Sequence, residues 1–387
     1  MSLPLSGRYV GLLLLPLLVA CQPDKPTQQP SASPTARQLP AEKPASAPFR
    51  RWRRYTGQVG SYPVVVELSF EDTAMVGSYY YARHGELVPL RAQPPGPGQA
   101  LRLREGTAET SSGNWEAVQP AGPVLSGTWR SPDGRRQLPF SLREEYAGAV
   151  RYEQVGFSRE GQLPADSAVC GIPGRTVKFS LQGVQLLDAG SSPALQRIQQ
   201  QLLPVPPAQL EAYVARQVAD NVGDCTETEK SAWVSYNADH LLSVTSLEVE
   251  FAFGAPHPTH HFTSMTFDLR TGSRLRLADL LRPGYEQPLR QLLTNRLLAD
   301  PGYGDFYRGE QAEGQQRWLN QAGRPQQLVP LPAEGVALTP AGLEFTWNEY
   351  TIAPYVMGPQ SVELSYADLR RLVRPSGPLA AVVARHK

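Results

Sequence analysis

Between residues 55 and 146 the chain is written in period two. "YPVVVELSF" at 62–70 alternates apolar and polar side chains before a turn at "EDT", and "MVGSYYYAR" at 75–83 follows, turning at "HGE". "LVPLRA", "LRLRE", "NWEAV", "VLSGTWR" and "LPFSLRE" repeat the theme, with "SPDGR" as a turn between the last two. Successive side chains of a strand point to opposite faces, so each run has one face to bury, and none shows a helical period. Many short strands at regular spacing predict an all-β sandwich or barrel for residues 49–146. The 37 prolines and 33 glycines among 387 residues suit short strands and turns better than a helical bundle.

From residue 147 the pattern changes. "TVKFSLQGVQLL" (176–187) reads as a strand, while "PALQRIQQQLL" (193–203) and "PAQLEAYVARQVAD" (207–220) carry helical stripes. Residues 233–253 read as strand, with a turn at "NADH", and 263–269 alternate again. A leucine-rich helix is expected near 286–299, then a polar stretch over 301–325 and strand runs in "GVALTPAGLEFTWNEY" and "QSVELSYADL". The mixture predicts an α+β domain over 147–374, an antiparallel sheet with helices on one face, followed by a tail over 375–387.

The formal net charge of +1 supplies no field to gather nucleic acid, and no phosphate loop or basic helix is present. The N-terminus sets a different expectation. Arg8 precedes the apolar run "GLLLLPLLVA", which is too short and too interrupted at Pro16 to span a bilayer. Leu18-Val19-Ala20-Cys21 resembles the lipobox of bacterial lipoprotein signal peptides. That resemblance implies a signal peptide over 1–20, acylation of Cys21 and anchorage in a membrane of the cell envelope. Gln22 stands where an aspartate would retain a lipoprotein in the inner membrane, so the outer membrane is expected. Residues 21–48 read as a tether. Seven prolines lie between 22 and 48 with almost no large apolar residues, and polyproline geometry lets such a segment reach about 80 Å. In "RRWRR" (50–54), a solvated domain edge is expected, with Trp52 tucked into the first strand. In an oxidising compartment Cys170 and Cys225 are expected to form a disulfide, with two buried free thiols as the alternative.

Four motifs in order resemble the RsiV-like domain family, named after a lysozyme-responsive anti-sigma factor and also found beside deacetylase domains. They are Gly254, Ala255 and His257; Phe267, Asp268, Leu269, Thr271 and Gly272; Leu277, Asp279 and Leu280; and Tyr350, Ile352, Ala353, Pro354, Tyr355 and Gly358. The resemblance covers 230–374 and implies an envelope domain that binds peptidoglycan or a protein that attacks it, such as lysozyme. Pro256 is inserted in the first motif, and the deacetylase metal pattern does not occur. The anti-sigma mechanism does not carry over to an exported, lipid-anchored chain.

Three of the six histidines stand within five positions, in "FGAPHPTHHF" (253–262). Pro256 and Pro258 exclude a helix there, and on a strand His260 and His261 face opposite ways. Zinc needs three or four convergent ligands, so the stretch is read as a proline-stabilised turn and no metal or other cofactor is expected. No G-x-S-x-G elbow occurs, and the cysteines are expected to be paired rather than nucleophilic. Asp268 and Asp279 read as turn and helix-cap carboxylates, and Glu349 as part of a turn. The expected function is therefore non-catalytic binding, with His257, His260, Trp347, Tyr350 and Tyr355 as candidate contacts. A cell-wall hydrolase, a hydrolase inhibitor and a purely structural lipoprotein remain the alternatives.

Overall fold

One long strand, β1 (Ala45–Val59), is shared by the two halves of the molecule. The computed structural model describes residues 45–70, 75–94, 100–106, 110–117, 122–163, 170, 174–308 and 327–386. The expected signal peptide, Cys21 and residues 21–44 of the expected tether lie outside the described residues. Residues 45–48, which the sequence assigned to the tether, belong to β1.

The C-terminal half of β1 opens a meander of β2 (Tyr62–Phe70), β3 (Met75–Tyr81), β4 (Val88–Ala92), β5 (Leu101–Gly106), β6 (Ser111–Ala117), β7 (Val124–Arg130) and β8 (Gln137–Glu144). Every neighbouring pair is antiparallel, and β8 returns to pair with Tyr55–Val59 of β1. The N-terminal region is thus an eight-stranded antiparallel β-barrel, and closure leaves it no free edge. Period two explains its filling: Val64, Val66 and Leu68 of β2, Trp115 and Ala117 of β6, and Phe140 and Leu142 of β8 all point inward. One inward residue is charged. Glu105 of β5 is buried, and its carboxylate accepts from the Tyr79 hydroxyl and, at 2.5 Å, from the Trp129 indole N–H. Gly113 on β6 makes room for it, because a Cβ there would collide with that carboxylate and with the indole.

The first half of β1 pairs instead with β9 (Tyr152–Gln162), a strand whose polar sequence gives it no clear apolar alternation. β10 (Thr176–Leu186) follows, antiparallel to β9. A crossover through α1 (Pro193–Leu202) and α2 (Leu210–Asp224) then brings β11 (Thr226–Ala238) beside β10 in parallel. A parallel pair needs such a connection. Ser192 caps α1, its hydroxyl accepting from the Leu195 N–H at 3.2 Å, and Pro193 fills the first helical turn. Leu195 and Ile198 of α1, and Leu210, Val214 and Val218 of α2, are buried against the sheet. β12 (Leu241–Ala252), β13 (Thr259–Asp268) and β14 (Arg274–Leu275) complete the sheet. Cys170 and Cys225 are joined in a disulfide across 55 residues, at the C-terminal end of α2.

The rest of the chain combines strands with helices. α3 (Leu277–Leu280), α4 (Glu286–Leu298) and α5 (Gly304–Arg308) precede a separate antiparallel sheet of β15 (Val336–Leu338), β16 (Gly342–Trp347) and β17 (Gln360–Ser365). Leu289, Leu293 and Leu297 of α4 share a core with Leu343, Phe345 and Trp347 of β16 and with Val362 and Leu364 of β17. The expectation of one sheet with helices on one face therefore gives way to two sheets. The segment read as a tail carries α6 (Tyr366–Leu369) just before it and α7 (Ala380–Arg385) within it, and Leu379, Val382 and Val383 are buried. The two halves are locked by polar groups whose partners are satisfied. Buried Arg54 donates to the Asn237 and Glu145 carbonyls, and Asn237 exchanges two hydrogen bonds with the Val150 backbone. No helix among the described residues is long and apolar enough to cross a membrane.

Candidate functional site

Three of the candidate contacts, His257, Tyr350 and Tyr355, sit on two loops that meet, and His260 follows at the start of β13. One loop is the β12–β13 connection, residues 253–258, where Gly254 takes a left-handed φ of 94°. The other joins β16 to β17, residues 348–359, and is fixed at its far end by buried Gln360. The Gln360 amide donates to the Met357 and Gly358 carbonyls, and its oxygen accepts from the Tyr307 hydroxyl.

Four of the five candidates converge there. The His257 ring stacks on Tyr355 with centroids 3.4 Å apart and planes 15° apart. Tyr350 lies 6.4 Å from His257 and 6.2 Å from Tyr355, centroid to centroid. His257 Nδ1 is 3.0 Å from the Pro258 carbonyl, which can only accept, so in the neutral ring Nδ1 carries the proton and Nε2 accepts from the Tyr350 hydroxyl at 3.1 Å. Tyr350 is 65% exposed and neighbouring Val356 88%. Desolvation pushes the Tyr355 phenol above its ordinary range, and Glu349 and Tyr350 add to the shift.

The fifth candidate is elsewhere. Trp347 is buried in the core, and its indole N–H donates to the Pro330 carbonyl at 2.8 Å. It shares the inward face of β16 with Leu343 and Phe345, where apolar alternation places packing residues.

His260 and His261 engage separate partners. His260 Nδ1 is 2.6 Å from Glu349 Oε1, whereas His261 Nε2 is 3.1 Å from Glu334 Oε2. Among the described residues no three His, Cys, Asp or Glu side chains are grouped to hold a metal ion.

Asn348 and Glu349 give the two loops their fixed relation. On the edge of β13 away from β12, the His260 N–H donates to Glu349 Oε2 at 3.2 Å and the Phe262 N–H to Asn348 Oδ1 at 2.6 Å. The Asn348 amide donates back to the Phe262 carbonyl at 3.1 Å, and the Ser264 N–H donates to the Glu334 carbonyl at 2.8 Å. These groups stand in for a further strand and satisfy an otherwise open sheet edge. The sequence signal for them is slight: a polar triplet, "NEY", directly after an apolar strand. Beside them lies a cleft of about 500 Å³ lined by His260, Glu349, Tyr355, Val356, Met357 and Ser361. The cleft is shallow and open to solvent.

No curated protein matches this chain. A member of the DUF3298 family from Bacteroides fragilis NCTC 9343 has a similar solved structure, with 18% identity and a TM-score of 0.44 over 62% of this chain and 99% of that one. A DUF3298 family protein from Pseudomonas aeruginosa PAO1 is 19% identical with a TM-score of 0.41, over 58% of this chain and 95% of that one. Residues 278–367, which include Glu349, Tyr350 and Tyr355, match the family described as "Protein of unknown function (DUF3298)", and the C-terminal part of the chain carries a domain of that family.

Proposed function

We propose that the protein is a lipid-anchored binding module of the cell envelope, held through Cys21, and that the His257–Tyr350–Tyr355 cluster receives peptidoglycan. The supporting observation is the stacked Tyr355–His257 pair with exposed Tyr350 beside it, opening on the cleft next to Glu349. Rigid aromatic faces with a few fixed polar groups suit a sugar ring, because tyrosine offers broad contact area at small entropic cost. The RsiV-like resemblance of residues 230–374 points to the same class of ligand. The anchor and the proline-rich segment would set the module at a distance from the membrane. Co-sedimentation with insoluble peptidoglycan tests this. The wild-type chain is expected in the pellet, and Tyr350→Ala and Tyr355→Ala in the supernatant. Equal retention of all three, or a wild type that never pellets, sinks the reading, and co-precipitation with lysozyme alone would replace it with a protein partner.

A second reading rests on a different observation. The Glu349–His260 contact fixes the imidazole with Nδ1 toward the carboxylate, as in carboxylate–histidine pairs that activate water. A muropeptide-release assay distinguishes a hydrolase from a binder.

A further inference from the structure

The barrel carries a second concave site that shares no residue with the cluster above. At the end where its hairpins turn, a cleft of about 290 Å³ is lined by Tyr62, Tyr81 and Trp129 together with Arg83, His84 and Arg136. Tyr62 is 51% exposed and meets Tyr81 edge to face at 5.9 Å, and Tyr81 meets Tyr79 in the same way at 5.5 Å. The Trp129 indole is held from inside the barrel by Glu105, so this wall of the cleft has a fixed orientation. Arg83 and Arg136 are exposed, and among the described residues neither guanidinium has a hydrogen bond or ion pair, although, after the Ser131 hydrogen bond, the Arg136 charge helps to hold the nearby Asp133 carboxyl below its ordinary range.

We propose that this barrel mouth binds a small ligand made of a single six-membered ring bearing a carboxylate. The ring would lie against Trp129 and Tyr62, and the carboxylate would meet the guanidinium forks of Arg83 and Arg136, whose geometry matches it in a bidentate manner. A volume at the lower edge of ligand pockets, roughly 300 Å³, admits one ring rather than a chain of sugars. Barrel mouths are common ligand sites.

Calorimetric titration of the full chain with glucuronate, benzoate and glucose tests the proposal. Saturable one-to-one binding of glucuronate or benzoate is expected, and whichever acid binds names the source of the ring. Glucose is expected to bind at least tenfold more weakly. Arg83→Gln and Arg136→Gln, both surface changes, should each weaken the acid tenfold or more with an unchanged circular dichroism spectrum. On the wild-type protein alone, affinity should fall as salt rises. Failure of both acids to bind, equal binding of glucose, or affinity indifferent to both arginines and to salt overturns it.

Discussion

The Glu349 carboxylate holds His260 at two points, accepting its backbone N–H at 3.2 Å and lying 2.6 Å from its ring Nδ1. The Glu349 side chain is only 6% exposed, so neither contact is readily replaced by water. Removing the acceptor with Glu349→Ala orphans a strand-edge N–H and should cost about 1–3 kcal/mol. His260→Ala keeps the backbone contact and the fold, but it strips the shielded Oε1 of its ring partner and should cost about 1–2 kcal/mol, less than Glu349→Ala. Urea titration of the two variants beside wild type checks the order. A Glu349→Ala variant as stable as wild type would show that the loop docks without it.

Tyr350 has a φ of 63°, in the left-handed region that β-carbon-bearing residues avoid. Such a residue costs about 1 kcal/mol or more, and it persists where something else selects it. Tyr350→Gly should therefore leave the melting temperature unchanged or raise it, since relief of strain outweighs glycine's greater freedom in the unfolded chain. Peptidoglycan retention should fall in the same variant. Loss of both stability and retention would make Tyr350 a packing residue instead.

The barrel was visible in the sequence because each strand has one apolar face, and period two survives translation into structure almost unchanged. β1 was obscured by its arginines: Arg54 is buried, with carbonyl partners that no local pattern reveals. β9, "YEQVGFSREGQ", was too polar to stand out, and the parallel pairing of β10 with β11 depends on the path of α1 and α2. In the site, His257 and Tyr350 were recognisable as residue types, yet their contact spans 93 positions and exists only because Asn348 and Glu349 dock one loop on the edge of β13. Trp347 has the residue type of a sugar contact, yet its alternation with Leu343 and Phe345 places it in the core.

The disulfide between Cys170 and Cys225 closes a loop of 55 residues. Chain-entropy reasoning gives it about 4 kcal/mol of stabilisation by restricting the unfolded ensemble. Reduction with dithiothreitol should shift the urea midpoint strongly downward, and Cys170→Ser should reproduce the shift without reductant. A reduced protein with the oxidised midpoint would show that the bridge merely reports proximity.

Glu67 gives the fold a pH dependence. It faces the cleft between the barrel and the C-terminal region, with Tyr80, Trp233, Tyr236 and Glu344. Burial pushes its carboxyl up from 4.5 to about 7, against the opposing pull of Arg54 and the hydrogen bond from Tyr152. The folded chain therefore holds this proton more tightly than the unfolded chain does. The stability it adds is fully present below pH 4.5 and is lost as pH rises through about 7. The difference of 7 − 4.5 corresponds to a span on the order of 3 kcal/mol. Glu67→Gln keeps an acceptor for Tyr152 without the titrating charge. Its stability curve should be flatter than wild type from pH 5 to 8, and above pH 7 the variant should be the more stable protein. Parallel curves across that range would show that Glu67 titrates as it does in the unfolded chain.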